Sequence, residues 1–116
     1  MQATLILQKK ALSWNKLYAG MHWSQRSKLA DEWHELVFYE CKIQKIPKFL
    51  DIYVRIISTL KKPLDADNIC AKIIIDGLVL AGIIKDDTPR YVKAVTLISK
   101  KGNEELTRVE INGRTT

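Results

Sequence analysis

Between Ser24 and Leu60 the apolar pattern changes period once, and that change restricts the fold more than any other feature of the chain. Leu29, Trp33, Leu36, Val37 and Cys41 fall at i, i+4, i+7, i+8 and i+12, one helical stripe interrupted by Glu40. Ser24 is placed to cap this helix and Pro47 to end it. From Leu50 to Leu60 the residues alternate instead, with Ile52, Val54 and Ile56 on one face and Tyr53 and Arg55 on the other, the pattern of a half-buried strand. A striped helix beside a one-faced strand predicts a layer of helix packed on a sheet.

The other segments extend that reading. Thr4 to Gln8 reads as a short strand, and Ser13 to Trp23, which follows neither period, as a loop. A second helix is expected from Asp67 to Ala81, capped by Asp67 or Asn68 and closed by a left-handed Gly82. Its β-branched middle, Ile73 to Ile75, needs tertiary packing to stay helical. Val92 to Ser99 and Leu106 to Ile111 read as strands joined in a hairpin around Gly102 and Asn103. The order β-α-β-α-β-β predicts a two-layer α+β domain, a four-stranded sheet with two helices on one face. The length of 116 residues suits a single domain, 1–116, with a core of its own.

Charge is uneven along the chain. Met1 to Lys62 holds 11 Lys/Arg against 5 Asp/Glu, and Pro63 to Thr116 holds 8 of each, so the first part carries the whole net charge of +6. An excess of this kind favours a polyanionic partner, because phosphate contacts release condensed counterions. Lys9, Lys10, Lys16, Arg26, Lys28, Lys61 and Lys62 are the expected contacts to such a partner, nucleic acid being one. Trp14, Tyr18, His22 and Trp23 are candidates to stack on exposed bases, whereas Trp33 belongs to the helical stripe and His34 to the surface. Cys41 and Cys70 have neither a CxxC partner nor zinc-ligand spacing, and are expected as reduced, buried thiols. No segment approaches the roughly 20 apolar residues of a membrane helix, and no leader pattern opens the chain, so a cytoplasmic protein with no membrane association is expected.

Negative charge is concentrated between Pro63 and Thr88. Asp65 and Asp67 flank an expected helix start, where carboxylates two residues apart can converge if a cation neutralises them. Hard oxygen donors suit Mg²⁺ or Mn²⁺, the rest of the shell being water and substrate phosphate. Asp87 joins them only if the chain after Gly82 doubles back beside the helix. Capping and turn formation account for the same spacings without a metal. Lys72 and Asp76, four apart, are placed for an ion pair on one helix face. An EF-hand is excluded by Ile69 and Cys70, and no Walker loop, GxSxG or HExxH is present.

Pro63-Leu-Asp65-Ala-Asp67-Asn68, Lys72, Asp76-Gly-Leu, Ala81-Gly82 and Asp86-Asp87 together resemble the RusA family of Holliday junction resolvases over about 26 residues. A weaker echo lies in the basic and aromatic stretch from Asn15-Lys16 to Trp23. The resemblance implies a Mg²⁺-dependent endodeoxyribonuclease that acts as a homodimer on four-way DNA junctions and nicks two opposed strands. It implies that Asp65, Asp67 and Asp87 bind metal and that Lys72 is catalytic. One departure stands out. Ile69, Cys70 and Ala71 separate Asn68 from Lys72, one residue more than the family pattern, which rotates the aspartates by about 100° about a continuous helix. A non-catalytic structure-specific DNA-binding protein, or a nuclease acting on other branched nucleic acids, is the alternative.

Overall fold

The alternating side chains of the Leu50 to Leu60 segment turn out to sit at the centre of the sheet. The computed structural model describes residues 1–116 as β1 (Gln2–Leu7), α1 (Trp14–Tyr18), α2 (Trp23–Ile43), β2 (Phe49–Leu60), α3 (Ala71–Leu80), β3 (Val92–Lys101) and β4 (Leu106–Thr115). The strands form one sheet in the order β1-β4-β2-β3. β4 runs antiparallel to both β1 and β2, and β3 runs parallel to β2. The fold is α+β, as expected, with a mixed sheet.

Leu5, Leu7, Ile52, Val54, Ile56, Val109 and Ile111 of the sheet share one buried cluster with Trp33, Val37 and Cys41 of α2 and Ile74 and Leu78 of α3. Ile73, Ile74 and Ile75 are all buried, so packing holds the β-branched part of α3 in helix. α2 and α3 meet closely at Gly77, where an added Cβ would lie 3.0 Å from the Val37 Cβ. At the end of α3, the Ile83 amide donates to the Leu78 carbonyl and the Gly82 amide to Val79, with Gly82 at φ +77°. That is the left-handed terminus the glycine predicts. No helix is long and apolar enough to cross a membrane.

Four expectations need correction. The stretch read as a loop contains α1, whose first turn is capped by Ser13 accepting from the Lys16 amide. α2 begins one residue before Ser24 and is capped by the His22 ring, which accepts from the Ser24 amide. It stops at Ile43, before Pro47 is reached. β3 and β4 form no hairpin, since β2 lies between them. The Gly102 amide donates to the Leu60 carbonyl as residues 102–105 cross the end of β2. Two strand spacings are about 9.6 Å, within the roughly 13 Å reach of a four-residue link.

The fourth correction concerns the start of α3. Asp65 to Ile69 holds a single 3-10 turn, Ala66–Asn68, and the α-helix begins only at Ala71. Neither Asp67 nor Asn68 caps it, and its N-cap, Cys70, makes no side-chain cap bond. The backbone here is engaged elsewhere. The Cys70 amide donates to the Leu12 carbonyl, and Ile69 bridges to Ser13. Because no continuous helix joins Asp67 to Lys72, the additional residue between Asn68 and Lys72 imposes no 100° rotation.

Candidate active site and nucleic-acid interface

The aspartate-bearing turn is held from two sides. Asn68 Oδ1 accepts from the Asn15 amide (3.0 Å) and Asn68 Nδ2 donates to Ser13 Oγ (2.8 Å), which ties the turn to the first residues of α1. On the other side, the Ser99 hydroxyl of β3 donates to the Leu64 carbonyl. Asp65 and Asp67 themselves are exposed, and neither they nor Asp87 pair with any lysine or arginine. Their carboxylates are therefore free to accept a cation, and hard oxygen donors of this kind fit Mg²⁺ or Mn²⁺ in chemistry.

In position the three expected ligands do not form one group. Asp87 stands beside the length of α3, lining a shallow depression with Lys72 and Asp76 and a second one with Asp76 and His34. The chain after Gly82 thus returns as far as Lys72 and Asp76. Asp65 and Asp67 line neither depression, and no three His, Cys, Asp or Glu side chains gather closely enough to hold a metal ion. Lys72, on the first turn of α3, has its ammonium 3.4 Å from Asp76. The Lys72 side chain is still 58 % exposed, so this pair is a weak tether and the charge stays available to a phosphate.

The expected DNA-contacting cations divide into two sets. Lys10, Lys16, Lys61 and Lys62 line one groove of about 570 Å³ whose apolar floor includes Leu12, Leu17 and Leu64. Leu64 and Ser13 also belong to this groove, so the Asp65 turn borders it. Glu105, on the link that crosses β2, accepts from the Lys61 amide (3.1 Å) and sits 3.3 Å from Lys10. The Lys61 amide, followed by the Lys10 ammonium, holds the Glu105 carboxyl below its ordinary value. Lys9 pairs with Glu32 at 3.7 Å beside the Trp33 ring. Arg26 donates to the Met21 carbonyl (3.0 Å) and lies over Tyr18, so it fastens the chain ahead of α2. Lys16, Lys28, Lys61 and Lys62 make no ion pair and remain as the free cations of the set.

Three side chains stand out that periodicity did not single out for the site. Asp76 lies where three depressions meet, in the company of Lys72, His34 and Asp87. His34, expected on the surface, is half-buried, and its Nε2 is enclosed with no hydrogen-bond partner. Trp23 is 66 % exposed at the start of α2. The i+4 spacing of Lys72 and Asp76 was a sequence signal for Asp76, and the basic and aromatic stretch had already made Trp23 a stacking candidate, whereas nothing in the sequence pointed to His34. The two cysteines are free and buried as expected, and burial, with a smaller push from Glu40, raises the Cys41 thiol to about 12. The chain matches no protein-family model and no curated protein sequence.

Proposed function

We propose that this chain is a divalent-cation-dependent endodeoxyribonuclease of branched DNA, in keeping with its resemblance to the RusA resolvases. The observation that carries the reading is the pairing of an acidic turn with a basic groove. Asp65 and Asp67, exposed and without ion-pair partners, are fixed by Asn68 and Ser99 at the border of the groove that Lys10, Lys16, Lys61 and Lys62 line. Stability alone does not call for this arrangement, since acids without partners beside Lys16, Lys61 and Lys62, which make no ion pair either, contribute little as surface charge.

A bound Mg²⁺ would supply an activated water and charge neutralisation at the scissile phosphate. Asp65 and Asp67 are the side chains that would hold it, with water and phosphate completing the shell, while Asp87, the third ligand the resemblance implies, stands apart beside Lys72 and Asp76. Lys61 and Lys62 attract the backbone of the strand, and Lys16 extends the contact across the groove. Lys72 stabilises the negative charge that accumulates on the phosphate oxygens. A four-way junction has two-fold symmetry, so a homodimer placing one such site on each opposed strand is the assembly that fits the substrate.

The second reading, a structure-specific binder that does not cut, draws on a different observation: no three acidic side chains are gathered for a metal. A synthetic four-way junction, a flap, a linear duplex and single-stranded RNA, each with and without Mg²⁺, separate the two. The endonuclease reading expects Mg²⁺-dependent paired nicks in the junction, abolished by Asp67→Asn with binding retained. An Asp67→Asn chain that cleaves at full rate removes the metal assignment. Tight junction binding with no cleavage under any divalent cation favours the binder. Size-exclusion with light scattering reports the dimer directly.

A further inference from the structure

The groove and the acidic turn leave one concave feature unused, a half-open cavity of about 270 Å³ between α1, the first half of α2 and the start of α3. Tyr18, Trp23 and Arg26 form one side, His34 sits within the lining, and Lys72 and Asp76 complete the other side. We propose that this cavity is a subsite for one unpaired nucleobase, stacked on Trp23, with its polar edge toward His34 and Asp76 and its phosphate toward Lys72. The proposal deepens the function above and rests on its nucleic-acid substrate, though not on cleavage.

Three features argue for a base. The first is aromatic surface left in water. Trp33 is 1 % exposed and Trp14 packs against the core, whereas Trp23 keeps 66 % of its surface exposed at the cavity edge. Every nucleobase has a π face, so an exposed indole in a positively charged surface suits single-stranded nucleic acid. The second is preorganisation. Tyr18 stacks on Trp14 with ring centroids 5.0 Å apart, and the Arg26 guanidinium stands 5.1 Å from the Tyr18 ring. Arg26 also donates to the Met21 carbonyl, so the Tyr18 wall is fixed before a ligand arrives.

The third feature is unspent hydrogen bonding. His34 Nε2 is buried with no partner, an expense that a native fold carries where something else completes the bond. That nitrogen is closed to water as the ring stands, so the imidazole must turn toward the cavity to meet a base edge, whereas the Asp76 carboxylate at the wall offers acceptors for ring or exocyclic N–H groups directly. Lys72, 3.4 Å from Asp76, brings a cation to the same wall for the phosphate attached to that base. A paired base presents neither its face nor this edge, so the cavity discriminates unpaired from paired strands.

The test uses the full chain in EDTA, which prevents cleavage, with a DNA hairpin carrying 2-aminopurine either as a single-base bulge or paired opposite thymine. Stacking on Trp23 predicts quenching of the bulged 2-aminopurine on binding. Trp23→Ala is expected to weaken the bulged hairpin about 5- to 150-fold, to leave the paired one within about two-fold, and to abolish the quenching. Trp23→Phe should restore most of the affinity, and His34→Ala should weaken the bulged hairpin selectively. Equal losses on both hairpins, no loss on either, quenching that survives Trp23→Ala, or no binding of either hairpin by the wild-type chain would overturn the proposal. Selective binding of the bulge by a chain that never nicks a junction with Mg²⁺ supports the base subsite and removes the endonuclease reading instead.

Discussion

Replacing Gly77 by alanine probes the contact that sets α3, and with it Lys72 and Asp76, against α2. The added methyl would stand 3.0, 3.1 and 3.2 Å from Val37 Cβ, Cγ2 and Cγ1. Carbon atoms at van der Waals contact lie about 3.5–4.0 Å apart, so Val37 must retreat by roughly half an ångström. Val37 has no exposed surface into which to move. Overpacking of this kind costs about 1–3 kcal/mol, and exchanging an interior helical glycine for alanine returns about 0.8–1 kcal/mol. The expected net loss is about 1 kcal/mol, a fall of about 4 °C in Tm for a domain of this size. In a Val37→Ala background, itself destabilised by about 2 kcal/mol, the Cγ1 and Cγ2 contacts are gone and only the 3.0 Å contact with Cβ is left, so the clash and the helix-propensity gain of about 0.8–1 kcal/mol roughly cancel. The cycle therefore predicts a coupling of about 1 kcal/mol. Urea unfolding followed through the buried Trp33 measures all four chains. A Gly77→Ala chain stabilised equally in both backgrounds would refute the close packing of the two helices.

Other expectations follow from single features. Asn68→Ala removes both bonds that tie the acidic turn to α1 and should cost about 1–3 kcal/mol, with faster hydrogen exchange at the Asn15 amide, whereas Asn68→Asp keeps the acceptor and should lose about half as much. Arg114, which hydrogen-bonds both Asp51 oxygens, holds the Asp51 carboxyl below its ordinary value of 3.8. Its contribution is therefore complete above that pH and fades as pH falls through the lowered value, so acid unfolding of Asp51→Asn should be less steep in this range. Burial raises Cys41 to about 12, which leaves about one thiolate in ten thousand at pH 8; native chains should resist a thiol-specific reagent and react at both cysteines once unfolded. The unpaired Lys16, Lys28, Lys61 and Lys62 predict a log–log salt slope for duplex binding near −3.6, shallower by about one for each lysine replaced by alanine.

Local pattern was enough wherever the chain's own periodicity decides the outcome. The stripe through Leu29, Trp33, Val37 and Cys41 became α2, the alternation around Val54 became β2, and Gly82 closed α3 in the left-handed conformation. The α+β class and the buried, unpaired cysteines were legible for the same reason. The acidic residues between Pro63 and Thr88 could be picked out as chemistry, but their grouping could not. Whether Asp87 meets Asp65 or Asp76 depends on how far the chain returns along α3, and nothing in the spacing measures that distance.

Tertiary structure decided what depends on partners far away in the chain. Ile69 and Cys70 are kept out of α3 because their backbone bonds to Leu12 and Ser13, more than fifty residues earlier, replace those of a first helical turn. A turn containing Gly102 and Asn103 says that the chain reverses, yet it is equally compatible with pairing β4 to β3 or carrying it across β2. The choice went to the arrangement that buries Thr107, Val109 and Ile111 at the sheet centre and leaves lysine-bearing β3 at the edge. The meeting of Trp23, His34, Lys72 and Asp76 belongs to the same class. Residue types and period come from the sequence alone, whereas the cavity that these four side chains line forms only when α2 and α3 pack against each other, at the distance Gly77 allows.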